Sequence, residues 1–283
     1  MTLDIAALQR HVGASRVVHD TVTAASVARL AATLDVANPA PNAGDPLPPG
    51  WHCSYFTPDM RPAGLAPDGL PAETALLPPM PLPRRMFGGA RIAFNAPLRV
   101  GQAIERRSEL VAIDAKETRS GPLVRATLRH TISGPDGPAI VEEHDTLALE
   151  EAKPGGPPAT PTSAPGGAAW KRVVEPTAIL LFRYSAITFN AHRIHYDADY
   201  TRGVEHYPGL VVQGTLLSLL LMELCRAHAG RPLARFEFRA VRPVYSPRPF
   251  TVAARPEGDG AELWIADPDG ALGMRATAGF ASG

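Results

Sequence analysis

The chain has 283 residues, 45% of them hydrophobic and 20% charged, with 28 basic residues against 28 acidic ones. That length holds one large or two ordinary domains. The zero net charge gives no broad pull toward nucleic acid or an anionic membrane surface. Two cysteines far apart, Cys53 and Cys225, show neither metal-ligand spacing nor a disulfide framework; they read as reduced thiols of a cytoplasmic protein.

In chain order, TAASVARLAATLDV places Val27, Leu30, Ala31 and Leu34 at helical spacing. A Pro- and Gly-rich stretch follows, and the chain reads as irregular loop to about Arg85, with Trp51, Tyr55 and Phe56 as anchors. From Gly88 four segments alternate like strands: ARIAFNAPLRVG, AIERRSELVAIDAKETR, PLVRATLRHTISG and AIVEEHDTLALEE. Short turns such as Gly134-Pro135-Asp136-Gly137 separate them and imply an antiparallel meander. Residues 152–168 have linker composition and divide an N-terminal half, 1–151, from a C-terminal half, 169–283.

The second half repeats the element order of the first. TAILLFRYSAITF reads as a strand. A polar motif comes next, then an apolar helix from about Gly209 to His228, then ARFEFRAVRP, FTVAARPEG, AELWIADPDG and ALGMRATAGF as strands. The helix's most apolar run, 210–224, is shorter than the roughly 20 residues of a membrane span, and Gln213, Ser218 and Glu223 interrupt it. Being apolar nearly all round, it needs burial on most sides, which a curved antiparallel sheet supplies. The expectation is an α+β chain of two such units.

The densest polar cluster lies at 182–215, between this helix and the segment before it, and loops held by rigid elements are where chemistry concentrates. YSAITFNAHRIH resembles the hydratase motif of MaoC-like enoyl-thioester hydratases, a pattern close to F-S-x-x-T-G-D-x-N-P-x-H. Tyr184, Ser185 and Thr188 match its start, and His195 falls on the catalytic histidine. QGT resembles the turn that begins the family's central helix, whose glycine N–H binds the thioester carbonyl; Gly214 is the matching position. The first half resembles the degenerate N-terminal unit of the type 2 hydroxyacyl-thioester dehydratases, and the members most alike are 3-methylfumaryl-CoA (mesaconyl-CoA) hydratases. The resemblance implies a double hotdog, two antiparallel sheets each wrapped around a central helix, with one active site between the halves. It implies a hydro-lyase acting on an acyl-CoA substrate, with no cofactor, no metal, no nucleic-acid or membrane partner, and room for the whole chain to pair as a homodimer.

The family's acid, five residues before the histidine, is Asn190 here, and its Asn-Pro is replaced by His192-Arg193. An amide cannot take a proton from water, but it can orient water by hydrogen bonds. The expected roles are therefore His195 as base and acid, Asn190 as water holder and Gly214 N–H as stabiliser of the thioester oxygen. Arg193, Arg183, Tyr184 and Gln213 are the candidate substrate contacts, with Arg193 suited to a carboxylate. Arg235, Arg239, Arg242 and Arg248 are candidates for CoA phosphates. Spacing of His192, His195 and Asp197 is too weak to imply a metal. A medium-chain 3-hydroxyacyl-thioester dehydratase, a thioesterase and a silent acyl-binding subunit are the alternatives the scaffold allows.

Overall fold

The computed structural model describes residues 4–36, 41–72, 76–118, 121–150 and 161–282. After a short helix α1 (Ile5–Gln9), the N-terminal half runs β1 (Ser15–Thr21), α2 (Ala24–Leu34), β2 (Arg84–Phe94), β3 (Ala103–Thr118), β4 (Gly121–Gly134) and β5 (Gly137–Leu149). The C-terminal half runs β6 (Trp170–Val174), α3 (Ala178–Ile187), α4 (Ala198–Gly203), α5 (Gly214–His228), β7 (Leu233–Ala240), β8 (Phe250–Glu257), β9 (Gly260–Ala266) and β10 (Leu272–Phe280). All ten strands form one sheet in the order β1-β3-β4-β5-β2-β7-β10-β9-β8-β6. Each half has the same internal order, and antiparallel pairing of β2 with β7 joins them.

The double hotdog expected from the sequence is present, with an asymmetry between its units. In the C-terminal half α5 is buried from Leu216 to Cys225 and packs on the strands of that half. The N-terminal half has no such helix among its described residues. Its concave face is covered by a single 3-10 turn, Trp51–Ser54, together with the buried side chains of Tyr55 and Phe56. Trp51 reaches across to α5, where its indole N–H donates to Glu223 Oε1 at 2.7 Å. His52 donates from Nε2 to Glu142 on β5 (3.0 Å), and Phe56 lies under the Arg106 guanidinium. Beneath this turn the sheet is polar: Glu142 also accepts from His144 Nε2 (2.6 Å), and Ser108 bonds His130 Nδ1 (2.7 Å). A shared apolar core runs through both halves, from Val22 and Leu30 to Phe236 and Leu263.

Two readings of the sequence need correction. Residues 178–187 form a helix, α3, capped by Thr177, rather than a strand. Its outer face carries exposed Ile179 and Phe182 as well as polar residues, so apolar side chains lie on both faces and the helical period is masked. The long helix starts at Gly214, not near Gly209, because Val211 and Val212 bond in extended form to Tyr245 and Val244. Of the expected linker, 152–160 lie outside the described residues. Residues 162–164 run beside the start of β10, with Leu272 N–H donating to Thr162 O and Ala164 N–H to Gly270 O. β1 and β6, edge strands with no clean alternation, had no counterpart in the sequence reading.

Candidate active site

The polar motif forms a compact loop between α3 and α4. Thr188 ends α3 by donating from Oγ1 to Tyr184 O, Phe189 takes a left-handed conformation at φ +51°, and Asn190 N–H returns to Ser185 O. The Asn190 side-chain oxygen accepts the His192 N–H at 3.0 Å, and Asn190 lines the pocket. A 3-10 turn over Arg193–His195 then presents the imidazole of His195, which is buried at 7% exposure.

His195 is held in one tautomer. Its Nδ1 lies 2.7 Å from the carbonyl oxygen of Val211; a carbonyl can only accept, so Nδ1 carries the hydrogen. The lone pair is therefore on Nε2. Burial pushes this imidazole down to about 4, against the pull of the Val211 bond and with a further push from His192, whose ring meets it edge-on at 5.4 Å. At neutral pH the group is an unprotonated base.

Gln213, directly before α5, is 1% exposed and spends both NH₂ hydrogens, on Leu181 O and Ser185 Oγ, at 2.9 Å each. Its Oε1 makes no hydrogen bond within the protein. A buried acceptor without a partner costs about 1–3 kcal/mol, so this oxygen is set for a ligand or water. Gly214 opens α5, where the unpaired N–H groups of the first turn and the positive end of the helix dipole favour developing negative charge.

His195, Asn190, His192, Gln213 and Gly214 all line one pocket of about 590 Å³. Other lining residues come from the N-terminal half: Arg84 to Gly88 of β2, Thr146 and Leu147 of β5, and Asp68, Leu70 and Pro71 of a preceding loop. Phe87 stands 3.7 Å from where a Gly214 Cβ would be, and edge-on to His144 on its other side. It thus touches both a pocket residue and a member of the polar network under the Trp51–Ser54 turn.

The structure does not bring Arg193, Arg183 or Tyr184 to the pocket. Arg193 pairs with Asp197 at 2.8 Å, lies over the Tyr200 ring and donates to Pro67 O, so its guanidinium is spent on holding the loop. Arg183 is exposed on α3 and donates to Ala32 O. Tyr184 is wholly buried, with its hydroxyl 3.8 Å from Cys53 Sγ. Among the arginines of the Pro-rich segment, Arg239 and Arg242 line the pocket, whereas Arg248 pairs with Asp269 and Arg235 lies at a separate surface hollow. Sequence reasoning missed Asp68, Arg84 and Arg85; the stretch before Gly88 had no pattern that could have marked them. No group of three or more His, Cys, Asp or Glu side chains among the described residues is placed to hold a metal. No helix among them is long and apolar enough to cross a membrane.

Comparison with known proteins places these features in context. The profile of the family described as hydroxyacyl-thioester dehydratase type 2 matches residues 50–246. A mesaconyl-C(4)-CoA hydratase of Chloroflexus aurantiacus is 45% identical over 269 residues, covering 94% of this chain and 95% of that one. A mitochondrial hydroxyacyl-thioester dehydratase type 2 of Schizosaccharomyces pombe is 28% identical over 245 residues, covering 77% and 80%. Among solved structures, a MaoC-like dehydratase from Phytophthora capsici superposes with a TM-score of 0.72 at 11% identity, over 99% of this chain and 98% of that one. That last likeness is one of fold.

Proposed function

The chain belongs to the hydroxyacyl-thioester dehydratase type 2 family, and we propose that within it the protein reversibly hydrates 3-methylfumaryl-CoA (mesaconyl-C4-CoA) to citramalyl-CoA. Membership makes it a hydro-lyase of acyl thioesters; the 45% identity to a mesaconyl-C(4)-CoA hydratase supports the substrate. The observation that carries the chemistry is the meeting of His195 and Gly214 in one pocket.

The proposed sequence uses few groups. Water binds between His195 Nε2 and the unpartnered Oε1 of Gln213, each accepting one of its hydrogens, with Asn190 bounding the site. Nε2 takes a proton as the water oxygen bonds to the β-carbon. The π electrons move onto the thioester oxygen, where the Gly214 N–H and the α5 dipole stabilise the enolate-like charge. The imidazolium then returns the proton to the α-carbon, and the thioester carbonyl re-forms. Because burial disfavours the charged ring, the imidazolium is a strong acid and gives up its proton readily. The N-terminal half, without a histidine motif of its own, contributes the facing wall.

The test is incubation of purified protein with 3-methylfumaryl-CoA while following enoyl-thioester absorbance and free thiol together. Loss of absorbance without thiol release is expected, and His195→Ala should lower kcat/KM by at least about 10³-fold. Release of CoA thiol would instead identify a thioesterase. A His195→Ala protein at the wild-type rate would remove the mechanism.

A further inference from the structure

We propose that Arg85, at the start of β2 in the N-terminal half, is the residue that reads the free carboxylate of a dicarboxylic acyl thioester. The proposal rests on the substrate reading above and deepens it. In 3-methylfumaryl-CoA the carbon that receives the hydroxyl also carries the carboxylate. The partner of that carboxylate must therefore stand beside the base, one bond from the point of attack, and not at the outer mouth of the pocket.

Four arginines line the pocket: Arg84, Arg85, Arg239 and Arg242. Arg242 is 3.5 Å from Asp267, and Arg239 is an exposed residue at the end of β7. Arg85 is half-buried and is fastened toward the motif loop by a chain of contacts. Its Nη2 donates to Pro71 O at 3.1 Å. The loop that carries Pro71 packs directly on the motif: Asp68 O accepts the Arg193 N–H at 2.8 Å. Gly69 touches the motif backbone so closely that an added methyl would fall 1.9 Å from Ala191 O. The guanidinium is thereby held on the His192 side of the pocket, and His192 meets the His195 ring edge-on. Around His192, burial lowers the imidazole, Asp68 and Glu205 draw it up, and the Arg85 charge pushes it down, which places that charge within reach of the same ring.

Among the described residues, the hydrogen bond of Arg85 to Pro71 O is the one it makes. No carboxylate among those residues pairs with it, and its planar guanidinium has the geometry that suits a carboxylate ligand. Two acids, Asp68 and Glu205, face the same space. An uncharged acyl group is indifferent to them, but a carboxylate needs a cation set against them, and Arg85 supplies it.

The experiment compares wild type with Arg85→Met and Arg85→Lys by two readouts. The first is the ratio of kcat/KM for 3-methylfumaryl-CoA to that for crotonyl-CoA, which has the same reacting bond and no carboxylate. The second is competitive inhibition of crotonyl-CoA hydration by succinyl-CoA against butyryl-CoA, which needs no turnover of a dicarboxylate. Expected are a fall in the first ratio on the order of tenfold to a hundredfold in Arg85→Met, with an equal loss of preference for succinyl-CoA, and partial retention in Arg85→Lys. Unchanged ratios in both variants overturn the proposal, as does an equal loss on both acyl groups. If wild type hydrates crotonyl-CoA alone, the substrate reading fails by itself. The inhibition arm still decides on Arg85, because a wild type blind to the succinyl carboxylate leaves it nothing to read.

Discussion

Gly214→Ala separates the chemistry of the helix start from its packing. Gly214 is the first residue of α5, and a Cβ added there meets only Phe87 Cδ1, at 3.7 Å, an ordinary van der Waals distance. Nothing in the fold resists the methyl. Alanine is also the better helix former, by up to about 1 kcal/mol in a helix interior and less at its first residue, so stability should hold or rise slightly. The whole effect therefore falls on the ligand: the methyl projects into the pocket beside the N–H that is to bind the thioester oxygen. Alanine keeps the N–H, so the effect is that the methyl obstructs the oxygen's approach to it; forfeiting one such donor costs on the order of 10²–10³ in rate, or about 3–4 kcal/mol. Thermal denaturation and enoyl absorbance on the same preparation give the answer. A variant with an unchanged melting temperature and kcat/KM lowered at least a hundredfold is expected. A variant within about threefold of wild type would show that the carbonyl binds elsewhere, and the reasoning built on the helix end would be lost.

The other predictions concern pH and the polar interior. With His195 pushed down to about 4, kcat/KM for hydration should stay flat from pH 7 to 5 and fall only near pH 4; an acidic limb centred between 6 and 7 would contradict the buried, neutral ring. Stability has the same sign: His195 and His130, pushed down to about 3, stay neutral in the fold while the unfolded chain takes up protons. Urea midpoints should therefore drop as pH falls from about 6.5 toward 4, and constant midpoints would count against it. Burial raises the Glu142 carboxyl, but the charges and hydrogen bonds of His144 and His52 outweigh that and hold it well below its usual range. Glu142→Gln removes the anion that both imidazoles share, and a loss of about 3–5 kcal/mol in urea denaturation is expected; under 1 kcal/mol would mean the network is solvated. Trp51→Phe leaves Glu223 with Arg226 but without the indole N–H, and should cost about 1–3 kcal/mol by the same measurement.

What the sequence made legible was local. His195, Asn190, Gln213 and Gly214 lie within 25 residues of one another, and a loop before an apolar helix fixes their neighbourhood before any long-range contact is known. Arg193, Arg183 and Tyr184 lie away from the pocket, while Gln213 lines it, because partners decide where such side chains go. Arg193 has Asp197 four residues on, a spacing visible in the sequence that signals an ion pair as readily as a ligand contact. Arg85 acquires its place only through Pro71 and through the packing of Gly69 on Ala191, contacts of which the second spans more than a hundred residues and neither obeys a periodicity. The alternating pattern of AIVEEHDTLALEE was read as a strand correctly, but it could not say that Glu142 and His144 point inward.

Two halves with one strand order perform different tasks because different segments fill the same place in each. Between α3 and β7 the C-terminal half holds the histidine motif and α5; between α2 and β2 the N-terminal half holds a long connection whose described part has only two short 3-10 turns. A second buried helix in that place would fill the concave face now covered by the Trp51–Ser54 turn, and would leave no polar face for Glu142 and its histidines. It would also displace the loop around Asp68 that carries the pocket wall and steadies Arg85. With no buried helix among the described residues of that place, the loop around Asp68 and the start of β2 form the wall that the other unit's reactive groups face. Insertion of an apolar helix before β2 should then abolish turnover of any acyl group small enough to need that wall, while leaving the His195–Val211 bond intact.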